Sequence, residues 1–227
     1  MDKSIFEVLG PVMIGPSSSH TAGAARIANI AAHIAGKGFN RVVFGLHGSF
    51  YETGRGHGTH KALAAGVLGF GPSDERIRDA FHYVELAGLQ VEFRHVQLEN
   101  VHENTVCIEF YRDGQKLCEV TGSSIGGGNV EITRIDSFDV KISGSNPTLL
   151  IRQNDKKGVV SDIAAVLADN DINIGTMTLS RTARGGVATT IIETDSVIGE
   201  GVAESLMGLE NVLSVRILDA EGADSDV

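Results

Sequence analysis

The sequence predicts an α+β chain made of two α/β units in series, and three observations carry that prediction. Two alanine-rich apolar runs, 22–35 and 61–68, each follow a loop of small polar residues that contains a histidine. Between residues 90 and 135 the pattern becomes strand-like, with Asp113-Gly114 as a hairpin signal. After Gly144-Ser145-Asn146-Pro147 the order becomes β-α-β-β-α-β, a ferredoxin-like split unit of about 70 residues.

Composition narrows the classes of function. The chain has 227 residues, 42% of them hydrophobic and 21% charged, which suits a globular protein with a substantial core. No apolar run reaches the roughly 18–20 residues of a membrane span. Met1-Asp2-Lys3-Ser4 and the short apolar segment Ser4–Leu9 lack the basic start and long apolar stretch of a secretory leader. The expectation is a cytoplasmic protein with no membrane partner. A net charge of −10 argues against nucleic acid, whose phosphates need clustered Lys and Arg. Residues 146–227 hold 13 acidic and 6 basic side chains, so neither half invites a polyanion. Cys107 and Cys118 are too few for a disulfide scaffold or for a self-contained iron–sulfur or zinc site. Flanking the Asp113-Gly114 turn, they read as small buried hydrophobes.

In chain order, Ser4–Leu9 ends at Gly10-Pro11, and Ala22–Ala35 reads as a buried helix stopped at Gly36-Lys37-Gly38. A core strand follows from Arg41, with His47 and Ser49 at its polar tip. A second buried helix covers Lys61–Leu68 and an amphipathic one, capped by Ser73, covers Asp74–Leu86. Strands are expected at Gln90–Val96, Asn104–Tyr111, Gln115–Thr121 and Val130–Ile135, with Ser123–Asn129 as an interruption. The second unit has strands Thr148–Gln153, Ile172–Thr182, Val187–Thr194 and Val212–Leu218, with helices Val159–Asn170 and Gly201–Met207. The acidic tail 221–227 is expected to be disordered.

Two loops stand out chemically. Gly15-Pro16-Ser17-Ser18-Ser19-His20-Thr21 places four hydroxyls and an imidazole at or just ahead of the start of a buried helix, where backbone N–H groups and the helix dipole suit a carboxylate or phosphate. N-capping alone would also account for the serines. Gly54-Arg55-Gly56-His57-Gly58-Thr59 repeats the design, and its glycines allow the backbone to approach a ligand. Gly126-Gly127-Gly128 is either a bulge or an anion cradle.

Taken in order, GPSSSHT, LHGSF, GRGHGT, SIGGGN and the C-terminal βαββαβ unit resemble the β chain of the iron–sulfur-dependent L-serine dehydratases, the L-serine ammonia-lyases. The resemblance spans essentially the whole chain. It implies an allosteric-substrate-binding-type α/β domain over residues 1–145, of a kind also seen in some phosphoglycerate dehydrogenases, and an ACT domain over 146–220. It implies dehydration of L-serine to aminoacrylate and then pyruvate and ammonia. The implied 4Fe–4S cluster is a Lewis acid held by cysteines of a separate α chain, which agrees with the two cysteines here.

Removing the Cα proton needs a base whose pKa lies near working pH, and histidine supplies one. His57 is the first candidate and His20 the second, the latter as base or as a donor to the substrate carboxylate. Ser17, Ser18, Ser19 and Thr21 are expected to hold that carboxylate, with Ser49, Thr59, Gly126, Gly127 and Gly128 completing the substrate site. No metal ligand is expected from this chain. His60 departs from the family pattern, which more often has Asp after GHGT, and stays outside the catalytic set. For the ACT domain the resemblance implies amino-acid sensing or subunit pairing, with Asn154, Asp155, Gly158 and Asn173 as effector candidates. A homodimer through either domain, inside an assembly with the α chain, is expected. A stand-alone amino-acid-binding regulator, or the same chemistry on L-threonine or L-cysteine, remain the alternatives.

Overall fold

The computed structural model describes residues 13–218. The segment Ser4–Leu9 with its Gly10-Pro11 end, and the acidic tail 221–227, lie outside the described residues. Two compact units follow one another, one running through Asp136 and the other starting at Ser137. No helix among the described residues is long and apolar enough to cross a membrane.

In the first unit a wide π-helical turn, Ser18–Gly23, runs directly into α1 (Ala24–Ala35). Eight of the twelve α1 residues are buried alanines and isoleucines, because side chains this small let other elements close on several faces at once. Gly36 ends the helix at φ 75°, its N–H donating to the Ala32 carbonyl. Then come β1 (Arg41–Leu46), the short α2 (Gly48–Glu52), α3 (Thr59–Gly66), a 3-10 turn at Glu75–Asp79, and α4 (Ala80–Leu86). The strands β2 (Gln90–His95), β3 (Thr105–Arg112), β4 (Gln115–Gly126) and β5 (Asn129–Ile135) complete the unit. Sheet order is β2-β1-β3-β4-β5, with β1 and β2 parallel and the rest antiparallel. Phe44, Phe50, Phe110, Ile27, Leu63 and Ile132 are fully buried, each contributing about 1.5–3 kcal/mol.

Three local expectations need correction. The first strand stops at Leu46, so Ser49 lies on α2 and His47 precedes that helix. Ser49 N–H donates to the Glu103 carbonyl and not to a neighbouring strand. The 3-10 turn is capped by Asp74, whose carboxylate accepts from Arg76 N at 2.9 Å, and not by Ser73. The segment Ser123–Asn129 does not interrupt the sheet. Ser123, Ser124 and Gly126 pair with Glu131, Val130 and Asn129, and only Gly127-Gly128 turn, at φ 63° and 82°. Positive φ at both central residues is what a tight two-residue hairpin requires.

The second unit opens with β6 (Phe138–Ile142), whose buried Phe138 and Ile142 flank an exposed Asp139; this strand was not foreseen. It continues with β7 (Thr148–Asn154), α5 (Val159–Asp169), β8 (Ile174–Arg181), β9 (Val187–Thr194), α6 (Glu200–Met207) and β10 (Val212–Leu218). The sheet order β10-β7-β9-β8 is antiparallel throughout, the split βαβ arrangement the sequence predicts. Leu149, Ile151, Ile163, Leu167, Ile192 and Leu206 form the centre of its core.

What positions the site is the approach of α3 to α1. A Cβ on Gly66 would stand 2.3 Å from the Ala25 carbonyl oxygen and 2.7 Å from Ala28 Cβ. Neither neighbour is the far end of a flexible side chain, so nothing can swing aside. Gly66→Ala is therefore expected to lower stability by about 2 kcal/mol, seen as a lower urea midpoint with an unchanged slope.

Candidate active site

The serine loop stands at the helix start, with Ser17 as the cap and Ser18–Thr21 wound into the wide turn. Ser17 is extended and its Oγ accepts from His20 N at 3.1 Å, while Ser18 and Ser19 lie half-buried in the turn. Thr21 is 2% exposed and its Oγ1 donates to the His57 carbonyl at 3.0 Å. That hydroxyl clips the second loop to the first. The clip demands close approach: a Cβ on Gly15 would stand 2.6 Å from Thr21 Oγ1, and Gly15 has φ 134°, so only glycine fits there.

The two histidines meet across this clip, ring centroids 4.9 Å apart. His20 is 9% exposed and packs edge-on to Phe50. Its Nε2 lies 3.0 Å from Thr53 Oγ1, 3.1 Å from Ser49 Oγ and 3.4 Å from the Ser49 carbonyl. Burial lowers its pKa, opposed by the Ser49 carbonyl bond and assisted by neighbouring His57. His57 is exposed, with Nδ1 3.0 Å from the Thr53 carbonyl. A carbonyl only accepts, so neutral His57 carries its proton on Nδ1 and keeps a lone pair on Nε2.

His57 and Thr21 border a cleft of about 350 Å³, together with Gly15, Pro16, Gly58, Lys61 and Arg78. The charged residues on it are cationic, so it suits a small anion. Lys61 Nζ donates to the Arg78 carbonyl at 2.6 Å, which joins the two at the rim. Thr59, the first residue of α3, is fully buried and its Oγ1 has no hydrogen-bond partner.

The structure thus brings together Ser17, His20, Thr21, Ser49, His57 and Thr59. Gly126, Gly127 and Gly128 form the β4–β5 turn, tied to α1 by Arg26 Nη1 donating to the Gly128 carbonyl at 2.6 Å. His47 Nδ1 accepts from Leu98 N, a framework bond. His60 packs on Phe93 at 4.5 Å, with a buried Nδ1 that has no hydrogen-bond partner, and its pKa is lowered by burial and then by Arg55. Sequence reading missed Thr53, Lys61 and Arg78. Thr53 and Lys61 adjoin the GRGHGT string in the chain, but Arg78 reaches the cleft only through the tertiary fold.

In the second unit the effector candidates separate. Asp155 Oδ2 accepts from Arg181 Nη1 at 2.7 Å and Gly185 N at 2.8 Å, bracing the β8–β9 hairpin. Gly158 precedes α5 at φ 93°. Asn173 instead donates to Asp195 at 2.5 Å. The β7 register sets Asn154 opposite Val187 and Thr148 opposite Glu193, and Ile174 pairs with Thr194. Asn173 therefore lies at the opposite sheet end from Asn154, about 20 Å away at roughly 3.3 Å per residue.

The donor set does not fit a cluster ligand role. Cys107 and Cys118 are half-buried, and the Cys107 thiol is pushed up to about 12, by burial first and then by Glu119. Cys107 faces Thr121 across the β3–β4 pair and Cys118 faces Phe110. Two thiols so placed cannot make the four-cysteine set of such a cluster.

An α/β unit with a cleft beside a pair of histidines, followed by an ACT domain, is the class the architecture defines; a family model for the ACT domain matches residues 147–211. The model described as serine dehydratase beta chain matches residues 4–87. The probable L-serine dehydratase beta chain of Bacillus subtilis (strain 168) is 43% identical over 213 residues, covering 94% of this chain and 96% of that one. The L-serine dehydratase beta chain of Peptoniphilus asaccharolyticus is 39% identical, covering 96% and 99%. A D-3-phosphoglycerate dehydrogenase of Bacillus subtilis (strain 168) is 26% identical over 53% of this chain and 23% of its own length. The chain belongs to the L-serine dehydratase beta-chain family.

The lowered pKa values of His20 and His60 set a pH dependence. In the fold their neutral forms are preferred, so below their ordinary value of 6.5 the unfolded chain binds more protons. Their stabilising contribution is present above pH 6.5 and is lost as pH falls through the lowered values. Urea unfolding from pH 7.5 to 5 should show that decline, and His60→Gln should flatten it.

Proposed function

We propose that this chain is the β subunit of a cytoplasmic 4Fe–4S L-serine ammonia-lyase that dehydrates L-serine to pyruvate and ammonia, the cluster being held by a separate α chain. The observation that carries the reading is the setting of His57: Nδ1 on a backbone carbonyl, with the residue lining a cleft whose charged residues are cationic. In this reading the substrate carboxylate sits toward Lys61, Arg78 and the N–H groups of the serine loop. His57 Nε2 takes the Cα proton. His20, buried and biased to neutrality, adds no second positive charge beside it. The functional division we adopt is 1–145 for the substrate-handling domain and 146–220 for the ACT domain, with a homodimer inside an assembly with the α chain. Of the effector candidates, Asn154, Asp155 and Gly158 share one end of the sheet, and any effector contact by Asn173 would be separate.

The test is reconstitution with an α chain and iron without oxygen, following pyruvate release from L-serine. The chain alone should be inactive. His57→Ala should lower kcat by about 10²–10⁴-fold, the usual contribution of a general base; wild-type turnover by that variant would refute the assignment. Lys61→Met should act mainly on KM, raising it by about 10-fold or more for loss of a charged hydrogen-bond donor.

A further inference from the structure

Thr53 touches both imidazoles, with different atoms. It ends α2, where its N–H and its Oγ1 both donate to the Ser49 carbonyl, each at 3.0 Å. Its carbonyl accepts from Gly56 N at 3.1 Å, His57 N at 3.3 Å and His57 Nδ1 at 3.0 Å. A following glycine is obligatory here, because a Cβ on Gly54 would stand 2.1 Å from the Phe50 carbonyl oxygen. The loop is thus folded back so that His57 returns, ring and backbone together, to the Thr53 carbonyl.

The Thr53 hydroxyl meets the other ring. Directed at the Ser49 carbonyl 3.0 Å away, the single proton of the Thr53 hydroxyl leaves the other contacts of Oγ1 to be filled by donors. Two lone pairs remain on Oγ1, facing Ser49 Oγ at 3.2 Å and His20 Nε2 at 3.0 Å. In that orientation His20 Nε2 supplies the proton to Oγ1, and the Ser49 carbonyl at 3.4 Å, which can only accept, favours the same tautomer. His20 Nδ1 is left unprotonated toward Ser17 Oγ at 3.5 Å. That serine oxygen already accepts from His20 N and has its own proton to give.

We propose that Thr53 is a positioning residue that holds the two imidazoles in opposite tautomers, His57 protonated on Nδ1 through the Thr53 carbonyl and His20 protonated on Nε2 through the Thr53 hydroxyl. Its role in turnover rests on the reading of His57 as the base. One residue thereby leaves a lone pair on Nε2 of the exposed ring and a proton on Nε2 of the buried one. The hydroxyl also pins the last turn of α2, so the carbonyl that orients His57 depends on it.

The experiment is ¹⁵N NMR of the full chain with labelled histidines, combined with turnover of the enzyme reassembled with its α chain. Wild type should show an Nδ1–H tautomer for His57 and Nε2–H for His20. Thr53→Val keeps the shape and the carbonyl but removes the hydroxyl. It should convert His20 to a tautomer mixture and lower kcat by about 10-fold, with KM within about 2-fold, as loss of an orienting group does. Thr53→Ser should restore both. The opposite tautomer on either wild-type ring overturns the proposal, and does so even where the valine variant does not fold. A serine variant that behaves like valine also overturns it, as does a valine variant with unchanged tautomers and kcat. Opposite tautomers in wild type alongside full activity of His57→Ala would sustain the assignment and refute the base instead.

Discussion

Backbone-close contact between α1 and α3 governs the first unit. Ala25, Ala28 and Gly66 leave no room for even a methyl group at their crossing, so the helices lie as near as backbone allows. Each helix begins with a histidine loop, and the contact sets those loops side by side. The Thr21 hydroxyl then has the His57 carbonyl within reach, and the imidazoles meet at 4.9 Å. A wider crossing would separate the loops and leave two unremarkable helix starts. Packing of this kind tolerates little change in volume, so the site's geometry is stored in the alanines more than in the polar residues it displays.

The two histidines divide the electrostatic work through burial. His20 is enclosed by Phe50, Ser17, Ser49 and Thr53 and is held from charging mainly by desolvation. His57 shows its ring to solvent, and the protein grips only its backbone and one nitrogen. An imidazolium at His20 would place a positive charge directly behind His57, and a His20 biased to neutrality leaves none there. The acidic balance of the chain is not expressed at the cleft, where the charged residues are cationic.

Much of this was legible in the sequence, for definite reasons. Alanine runs ending in glycine mark buried helices, and Asp113-Gly114 sets a hairpin with both residues at positive φ. The alternation of β7 to β10 with two helices specifies the split βαβ unit. Ser17, His20, Thr21, His57 and Thr59 were readable as a set because two similar loops each precede a buried helix. What was hidden is tertiary. Ser49 moved from a strand tip to α2 because Gly48, at φ 49°, turns the chain where hydropathy alone continues the strand. Thr53 has an ordinary side chain whose importance comes from what its carbonyl and hydroxyl face. Arg78 reaches the cleft only after a 3-10 turn that its sequence context does not announce. The glycine triplet read as a cradle or a bulge because a two-residue turn and an anion nest use the same positive-φ residues.

His57 is held entirely from behind. The Thr21 clip, the Thr53 carbonyl and the neighbouring His20 lie on its protein side, and its front is open. That grip sets where the ring stands and which nitrogen is bare, but it does not choose which carbon is presented to it. Under the proposed role of His57, discrimination between one small amino acid and another requires a wall opposite Nε2, and the placing of this ring is what such a wall must register against.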